Sequence, residues 1–379
     1  MKIAINAHLL TRSQEGGICR YAFNICKHLL QNDSDNEYYF VSNKPINNVL
    51  NIESGRNPVF KDRFGFSVLN SVVFSRFGFS KAFQSLKCDL AFVPWVSPFS
   101  TSPTVVTVHD LVPLCSITKE VDQYQQRFFV RVNFALFARQ YAKKAALLIA
   151  DSNDTKRAIL ETCKVNPEKV KVIPLGIDPL QFFVRQKEEV AIVRNKYSLP
   201  RPYFINVASS WQPRKNLGRL IQAFALFGRK NQEMDLVIIG KKGPSYEEMQ
   251  QLISKNQLQG KVHLLEFIPQ EDLPALLSGA VSLVFPSLHE GFGLPVLEAM
   301  GCGCPVIVSN AGALPEAGGD AALYVDPFDL ESIAFAMETI VGKSSIRESL
   351  SQKALERARL FTWENTARQT LAAFREAVK

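Results

Sequence analysis

Two carboxylates with seven residues between them, Glu290 and Glu298, enclose the stretch of this 379-residue chain that is richest in potential chemistry. Between them, Gly291 and Gly293 leave the backbone open to close approach by a ligand. Pro295 suits the first position of a helix, where its missing N–H is not needed. The free amides and the positive dipole end of that helix would face phosphate or sugar oxygens. We therefore expect a helix start that binds an anionic or sugar-bearing ligand.

Glu298 lies about one turn into this predicted helix, at ~3.6 residues per turn. Its carboxylate can accept two hydroxyl hydrogen bonds, and a ribose diol is such a partner. The alternative is a solvated glutamate on a surface helix that follows an ordinary glycine turn.

Fixed positive charge occurs where Arg214 and Lys215 follow a strand predicted at 203–208 and precede an amphipathic helix predicted at 216–230. Two cations at a strand-to-helix junction can neutralise a departing diphosphate without a metal ion. A bare Arg-Lys pair is more often surface charge, so this assignment depends on its position in the chain.

Metal-binding patterns are weak in this sequence. The one Asp-x-Asp tripeptide, Asp33-Ser-Asp35, lies in a polar connection after the first helix, and its asparagine neighbours indicate a turn. Cys302 and Cys304 form a close pair without companion ligands at zinc spacing, and the odd total of seven cysteines fits reduced thiols. We therefore expect neither a metal nor another cofactor.

Two more positions of interest lie at the ends of predicted strands. Gly16 and Gly17 follow the first strand and open the first helix, where glycine permits backbone dihedrals that other residues forbid. Taken alone, such a pair is just a turn. His109 ends the strand predicted at 104–108 and could hydrogen-bond a ligand there, although a lone histidine is most often structural.

Apolar runs alternate with helical patterns along the chain, which predicts parallel sheets and an α/β fold. A break near 174–178 divides it into two Rossmann-like domains, 1–178 and 179–362. The predicted strands cover 3–6, 37–42, 89–93, 104–108, 146–150, 203–208, 235–239, 262–268, 281–285 and 305–308, and the predicted helices cover 18–31, 122–144, 154–163, 216–230, 246–257, 271–278, 295–301, 330–341 and 363–378.

Residues 281–327 resemble the retaining glycosyltransferases of family 4, whose glutamate-x7-glutamate motif has the wording of Glu290-Gly-Phe-Gly-Leu-Pro-Val-Leu-Glu298. The resemblance extends to Pro213-Arg-Lys-Asn216, Gly16-Gly-Ile-Cys-Arg-Tyr21 and His109-Asp110, and it is thin only at 45–100. It implies the GT-B fold, in which two Rossmann-like domains face a central cleft. It also implies that the last helix, 363–379, joins the first domain.

The resemblance implies roles for individual residues. Arg214 and Lys215 would hold the donor diphosphate, and Glu298 would hold the ribose. His109 and Glu290 would contact the transferred sugar as the catalytic pair. The implied donor-binding set is Gly16, Gly17, Ser209, Arg214, Lys215, Phe267, Gly291, Phe292, Gly293, Leu294 and Glu298.

The implied function is a retaining, metal-independent transfer of a hexose, expected to be mannose from GDP-mannose, to a growing glycan such as a cell-surface polysaccharide, lipid-linked or free. Ser209 and Glu266 stand where relatives often have glycine, and Glu266 lies near the backbone expected to meet the nucleobase, so a UDP- or dTDP-sugar donor is an alternative. Two further alternatives for the function are an epimerase or glycogen-synthase-like enzyme of the same fold, and a non-catalytic nucleotide-sugar-binding partner of a polysaccharide assembly complex. The intact charged residues argue against the last.

The net charge of +8 is uneven, because residues 1–178 hold 22 basic and 15 acidic side chains, or +7, which leaves +1 for residues 179–379. At 58–87, five basic residues alternate with seven phenylalanines, a pattern that can lie on an anionic membrane. Alternatively, the phenylalanines face the core.

Nucleic acid is not an expected partner, since no recognised motif accompanies the charge. Without a signal core or a run of about 18 apolar residues, we expect a cytoplasmic protein, free or at the inner face of the membrane.

Overall fold

The structure is a computed structural model that describes residues 1–11, 16–44, 46, 59–61 (backbone only), 77–97, 99–111, 138–266 and 268–379. The chain divides into two compact units. One unit holds the described residues up to Gly176 together with Trp363–Lys379, and the other holds Ile177–Thr362. Each unit is built around its own parallel sheet.

The first unit contains a seven-stranded sheet in the order β3-β2-β1-β4-β5-β6-β7, with every pair of neighbours parallel. Its strands are Lys2–Asn6 (β1), Glu37–Val41 (β2), Val59–Lys61 (β3), Leu90–Val93 (β4), Thr104–Val108 (β5), Leu147–Ala150 (β6) and Val170–Val172 (β7). Its described helices are Gly17–Asn32, Phe79–Ser85, Asn153–Cys163 and Trp363–Ala377, with further helical residues at 138–144.

The second unit contains a six-stranded parallel sheet in the order β10-β9-β8-β11-β12-β13. Its strands are Tyr203–Ser210 (β8), Asp235–Lys241 (β9), Val262–Leu265 (β10), Ser282–Phe285 (β11), Val306–Ser309 (β12) and Ala322–Val325 (β13). Its described helices are Lys187–Lys196, Leu217–Gly228, Tyr246–Lys255, Leu273–Ser278, Leu294–Gly301, Leu314–Gly318, Leu330–Gly342 and Ser344–Ala358.

Central strands are apolar on both faces, as expected where helices cover both sides of a parallel sheet. Every residue of β4, β5, β6, β11 and β12 is buried. In helix Leu217–Gly228 the buried side chains include Leu220, Phe224 and Phe227, which recur at helical spacing. A fully buried phenylalanine contributes about 2 kcal/mol, so this face decides how the helix packs.

The predicted α/β class with parallel sheets is confirmed, and each predicted strand overlaps an observed one. The strands that the sequence did not predict, β3, β7 and β13, all lie at sheet edges. An edge strand has one neighbour and is partly solvated, so its apolar run is short; in β13, Tyr324 is exposed. Helices Lys187–Lys196 and Ser344–Ala358 were also missed, because few of their residues are buried. Helix Phe79–Ser85 was missed as well, since its seven residues are too few for a clear helical period. Of the helix predicted at 122–144, the described part, 138–144, is helical.

The last helix, Trp363–Ala377, packs within the first unit against helix Gly17–Asn32. Its inner face reaches the sheet, where Phe374 meets Phe92 edge-on at 5.0 Å between ring centroids. The helix therefore forms part of the first hydrophobic core.

Only part of the basic, phenylalanine-rich segment at 58–87 belongs to the described residues. Phe79 and Phe83 are buried in the first unit, as the core alternative predicted for them, whereas Phe77 is 57% exposed. Within the described ranges, no helix combines the length and apolar character needed to cross a bilayer.

Candidate functional site

In each sheet the chain first adds strands on one side of the first strand and then continues on its other side. β1 and β4 are therefore neighbours in one unit, and β8 and β11 are neighbours in the other. At such a switch point the two connections leave toward opposite faces, and a crevice for ligands opens at the carboxyl edge. The segments that follow β8 and β11 carry the predicted charges, Arg214 and Lys215 on one side and Glu290 on the other.

Hydrogen bonds join these two segments along their length. Pro213–Lys215 is a single 3-10 turn. Leu288 N donates to Arg214 O at 2.8 Å, and Asn216 Nδ2 donates to Pro286 O at 3.0 Å. The segment after β8 is thereby fixed against the segment after β11.

Glu290 stands at the centre of a buried charge cluster. Arg214 Nη1 donates to its Oε2 at 2.8 Å, and Lys215 Nζ donates to its Oε1 at 2.6 Å. Ser287 Oγ donates to the same Oε1, and Arg214 O lies 3.2 Å from this hydroxyl as a second, more distant acceptor. Glu290 and Lys215 are only 8% and 6% exposed, so water screens these pairs weakly.

The cluster keeps Glu290 ionised. Burial by itself would raise the pKa of Glu290, but the charges of Arg214 and Lys215 and the hydrogen bonds from Lys215 and Ser287 lower it to about 2. A carboxyl group with so low a pKa neither donates a proton near neutral pH nor accepts one readily. The arrangement therefore suits Glu290 to orienting a ligand rather than to acid–base chemistry.

Gly293 makes the turn from this segment into the next helix. Its φ of 119° lies in the left-handed region that favours glycine, and a Cβ there would lie 2.9 Å from Leu314 Cδ2. Helix Leu294–Gly301 begins at the next residue, with Pro295 in its first turn. Within the described chain this turn carries no acidic residue and no side-chain cap, which favours an anion at its positive dipole end.

The other predicted donor-binding residues of the second unit that the structure describes lie in or beside this helix or at the end of β8. Gly291, Phe292 and Leu294 are buried, and the Phe292 ring meets Phe361 at 5.8 Å between centroids. Glu298 is a buried carboxylate in the same helix. Ser209 is exposed near the end of β8, and Phe267 lies outside the described residues.

In the first unit, Gly16 caps Gly17–Asn32, the first α-helix described after β1. Its φ of 94° again requires glycine, as the Gly-Gly pattern predicted. The His109 side chain follows the end of β5, and both of its ring nitrogens have a hydrogen-bond partner. Its Nδ1 lies 2.7 Å from Asp151 Oδ2, and its Nε2 lies 3.0 Å from Pro94 O.

Both neighbours of the His109 ring are acceptors, so this geometry favours the doubly protonated imidazolium. Burial by itself lowers the pKa of His109, but the charge of Asp151 and the bonds to Asp151 and Pro94 O raise it above its usual value. Burial raises the pKa of Asp151, and His109 opposes that shift. A sugar contact through this ring would have to replace one of the present bonds.

The structure brings Arg214, Lys215 and Glu290 into direct contact within the second unit. Two partners escaped the sequence analysis. Asp151 directly follows β6, the neighbour of β5, so the order of the strands could have pointed to it. Ser287 is a single serine in a loop, and no sequence signal distinguishes it.

Acidic residues do not gather into a metal site in the described part of the chain, where groups of three or more His, Cys, Asp or Glu side chains suited to a metal are absent. Asp33 of the Asp-x-Asp tripeptide accepts hydrogen bonds from Tyr38 and Asn36. It also accepts one from Asp35 N, so this segment is the turn that the sequence predicted.

Comparison with known proteins gives two family matches. Residues 15–180 match Glycosyltransferase Family 4, and residues 191–357 match Glycosyl transferases group 1. Sucrose-phosphate synthase from Thermosynechococcus elongatus is similar in structure, with a TM-score of 0.77 and 21% identity, over 99% of this chain and 98% of that protein. At this identity the likeness shows the fold alone.

Curated relatives include two proteins of Escherichia coli. O-antigen chain mannosyltransferase B is 32% identical over 232 residues, which are 61% of this chain and 61% of that protein. Serotype-specific mannosyltransferase WbdA is 30% identical over 288 residues, which are 74% of this chain and 34% of that protein. The chain thus spans less than two thirds of the length of either relative.

Proposed function

We propose that this chain, which belongs to the GT-B glycosyltransferases of group 1 and family 4, transfers a hexose from a nucleotide sugar to a growing glycan. The observation that carries the proposal is the cluster at the β8–β11 switch point, where Arg214 and Lys215 meet one buried carboxylate beside a helix start. A sheet of this order binds nucleotides at that position, and the cations suit a diphosphate.

In the proposed reaction, the acceptor hydroxyl oxygen bonds to the sugar C1 while the bond from C1 to the diphosphate oxygen breaks on the same face. The hydroxyl proton passes to the leaving phosphate oxygen, so the configuration at C1 is retained. Negative charge grows on the diphosphate, where Arg214, Lys215 and the helix start would stabilise it. We propose metal independence because these cations supply the positive charge that the leaving group needs.

The remaining roles stay predictions. An ionised Glu290 would orient sugar hydroxyls, and Glu298 would accept hydrogen bonds from the ribose. Gly16 and Gly17 would approach the diphosphate or sugar, and His109 would contact the sugar after exchanging one of its present bonds.

The proposed donor is GDP-mannose, supported by relatives that are named mannosyltransferases. In a calorimetric screen of GDP-mannose, UDP-glucose, UDP-galactose and dTDP-glucose, GDP-mannose should bind tightest and should be consumed when lipid-linked glycans are added as acceptors. Tighter binding of a UDP- or dTDP-sugar would select the alternative donor. Binding of GDP-mannose without turnover on any acceptor would favour the non-catalytic partner.

We also propose a lipid-linked acceptor, reached from the cytoplasmic face of the membrane, as in assembly of a cell-surface polysaccharide. The basic excess of the first 178 residues supports this, since each basic residue near an anionic surface contributes about 1 kcal/mol. The buried Phe79 and Phe83 limit the membrane-facing part of the segment to the rest of 58–87.

Vesicle co-sedimentation tests the membrane proposal. The native chain should sediment with anionic vesicles at low salt and be released at high salt, because the attraction is screened. A variant with Lys61, Arg63, Arg76 and Lys81 changed to Gln should stay in solution; Arg63 and Arg76 lie outside the described residues. Equal binding of the variant, or no binding of the native chain, would remove this segment as a membrane contact.

A further inference from the structure

We propose that Ser287 is a positioning residue, which holds the Glu290 carboxylate in place when a donor diphosphate draws Arg214 and Lys215 away from it. The inference rests on the proposed function of the same site. It assigns a role to a buried hydroxyl that itself touches no ligand.

The geometry around Glu290 carries this inference. Within the described residues, its carboxylate receives hydrogen bonds from the side chains of Arg214, Lys215 and Ser287. The first two are the cations that would bind a diphosphate. Once they turn to phosphate oxygens, Ser287 Oγ is the side-chain donor that remains on Glu290 Oε1.

The backbone around Ser287 is fixed by burial and by hydrogen bonds. The residue is 1% exposed, and its carbonyl oxygen accepts a hydrogen bond from Ser309 Oγ at 2.5 Å. Pro286 on one side and Leu288 on the other are bonded to the segment after β8. The Ser287 backbone is thus held by β12 and by the backbone of the segment after β8, and Arg214 O also lies 3.2 Å from the Ser287 hydroxyl. Rotation of the Arg214 and Lys215 side chains toward a ligand need not move this backbone.

The backbone of Glu290 is also confined. Its carbonyl accepts a hydrogen bond from Ala313 N at 3.2 Å, and a Cβ on Gly312 would lie 3.0 Å from the same carbonyl oxygen. With the backbone fixed, only side-chain rotation could let the carboxylate follow the cations toward the phosphate. The Ser287 hydrogen bond opposes that rotation and keeps the carboxylate available for sugar hydroxyls.

Calorimetry with GDP and GDP-mannose tests the assignment without requiring turnover. The ratio of the two affinities measures what the sugar contributes to binding. Ser287→Ala should reduce this ratio, as Glu290→Gln does, but by less than it reduces turnover, because the Glu290 contact strengthens in the transition state, and its affinity for GDP should stay within about twofold of native. Turnover should fall about tenfold, in line with the loss of one hydrogen bond to a charged group.

Three further variants separate positioning from packing. Ser282→Ala removes a buried serine of β11, whose Oγ bonds to Leu283 O and Pro305 O, and should keep the native ratio. Ser287→Cys fills the same space with a weak donor, so it should behave as Ser287→Ala if the hydrogen bond matters. In the Glu290→Gln background, Ser287→Ala should add little further loss.

The outcomes are distinct. A native affinity ratio in Ser287→Ala or Ser287→Cys, or additive losses in the double variant, would overturn the role of Ser287 while the proposed function stands. A native chain that binds neither GDP nor GDP-mannose would overturn the proposed function and this assignment together.

Discussion

Replacing Lys215 with alanine should lower turnover by a factor on the order of a hundred or more, as loss of a preorganised contact to a leaving group does. Lys215 is buried and lies 2.6 Å from Glu290, so its charge is held at the switch point and only its side chain needs to turn from the carboxylate to a diphosphate. Steady-state kinetics with the native chain and Lys215→Ala would measure the effect.

Two controls belong to this experiment. Lys230→Ala removes an exposed lysine of the same unit, paired with Glu338 at 3.2 Å, and should leave turnover unchanged. Activity of the native chain should survive EDTA, because the two cations of the 3-10 turn supply the positive charge. Complete loss of activity in EDTA, restored by Mn²⁺ or Mg²⁺, would contradict the metal-independent mechanism.

The two glutamates of the motif should differ in their kinetic effects. Glu298→Gln should mainly raise the donor KM, because a ribose contact is equally strong in the ground state and the transition state. Glu290→Gln should mainly lower turnover, because its sugar contacts strengthen as C1 changes geometry. Initial rates over a range of donor concentrations would separate KM from kcat in each variant.

The affinity for GDP is a second observable that separates the two glutamates. Because its carboxylate neutralises Arg214 and Lys215, Glu290→Gln should bind GDP more tightly than the native chain, whereas Glu298→Gln should bind it more weakly. With a pKa of about 2, the native Glu290 side chain stays ionised throughout the pH range of the assay, so the difference between the two variants should not depend on pH. Indistinguishable defects in the two variants would refute this division of roles.

The local features of the site could be predicted because they depend on residues that are close in sequence. Gly293 and Pro295 lie close together in sequence, at the turn and in the first residues of helix Leu294–Gly301, so both features could be predicted from neighbouring residues. Arg214 and Lys215 could be placed after a strand because the apolar run of β8 precedes them directly. The edge strands and the sparsely buried helices escaped prediction because their apolar signal is weak.

The sequence by itself determined the α/β class, the two parallel sheets and the loops that hold the charged residues, because apolar period, glycine and proline act over a few neighbouring residues. Only the tertiary structure decided the partners. Glu290 meets Arg214 across 76 residues of chain, and His109 meets Asp151 across 42. These contacts depend on which strands become neighbours, and that order is set by packing of the whole sheet. The same packing places Glu290 beside the cations Arg214 and Lys215 and places the Ser287 hydroxyl within hydrogen-bond distance of the Glu290 carboxylate.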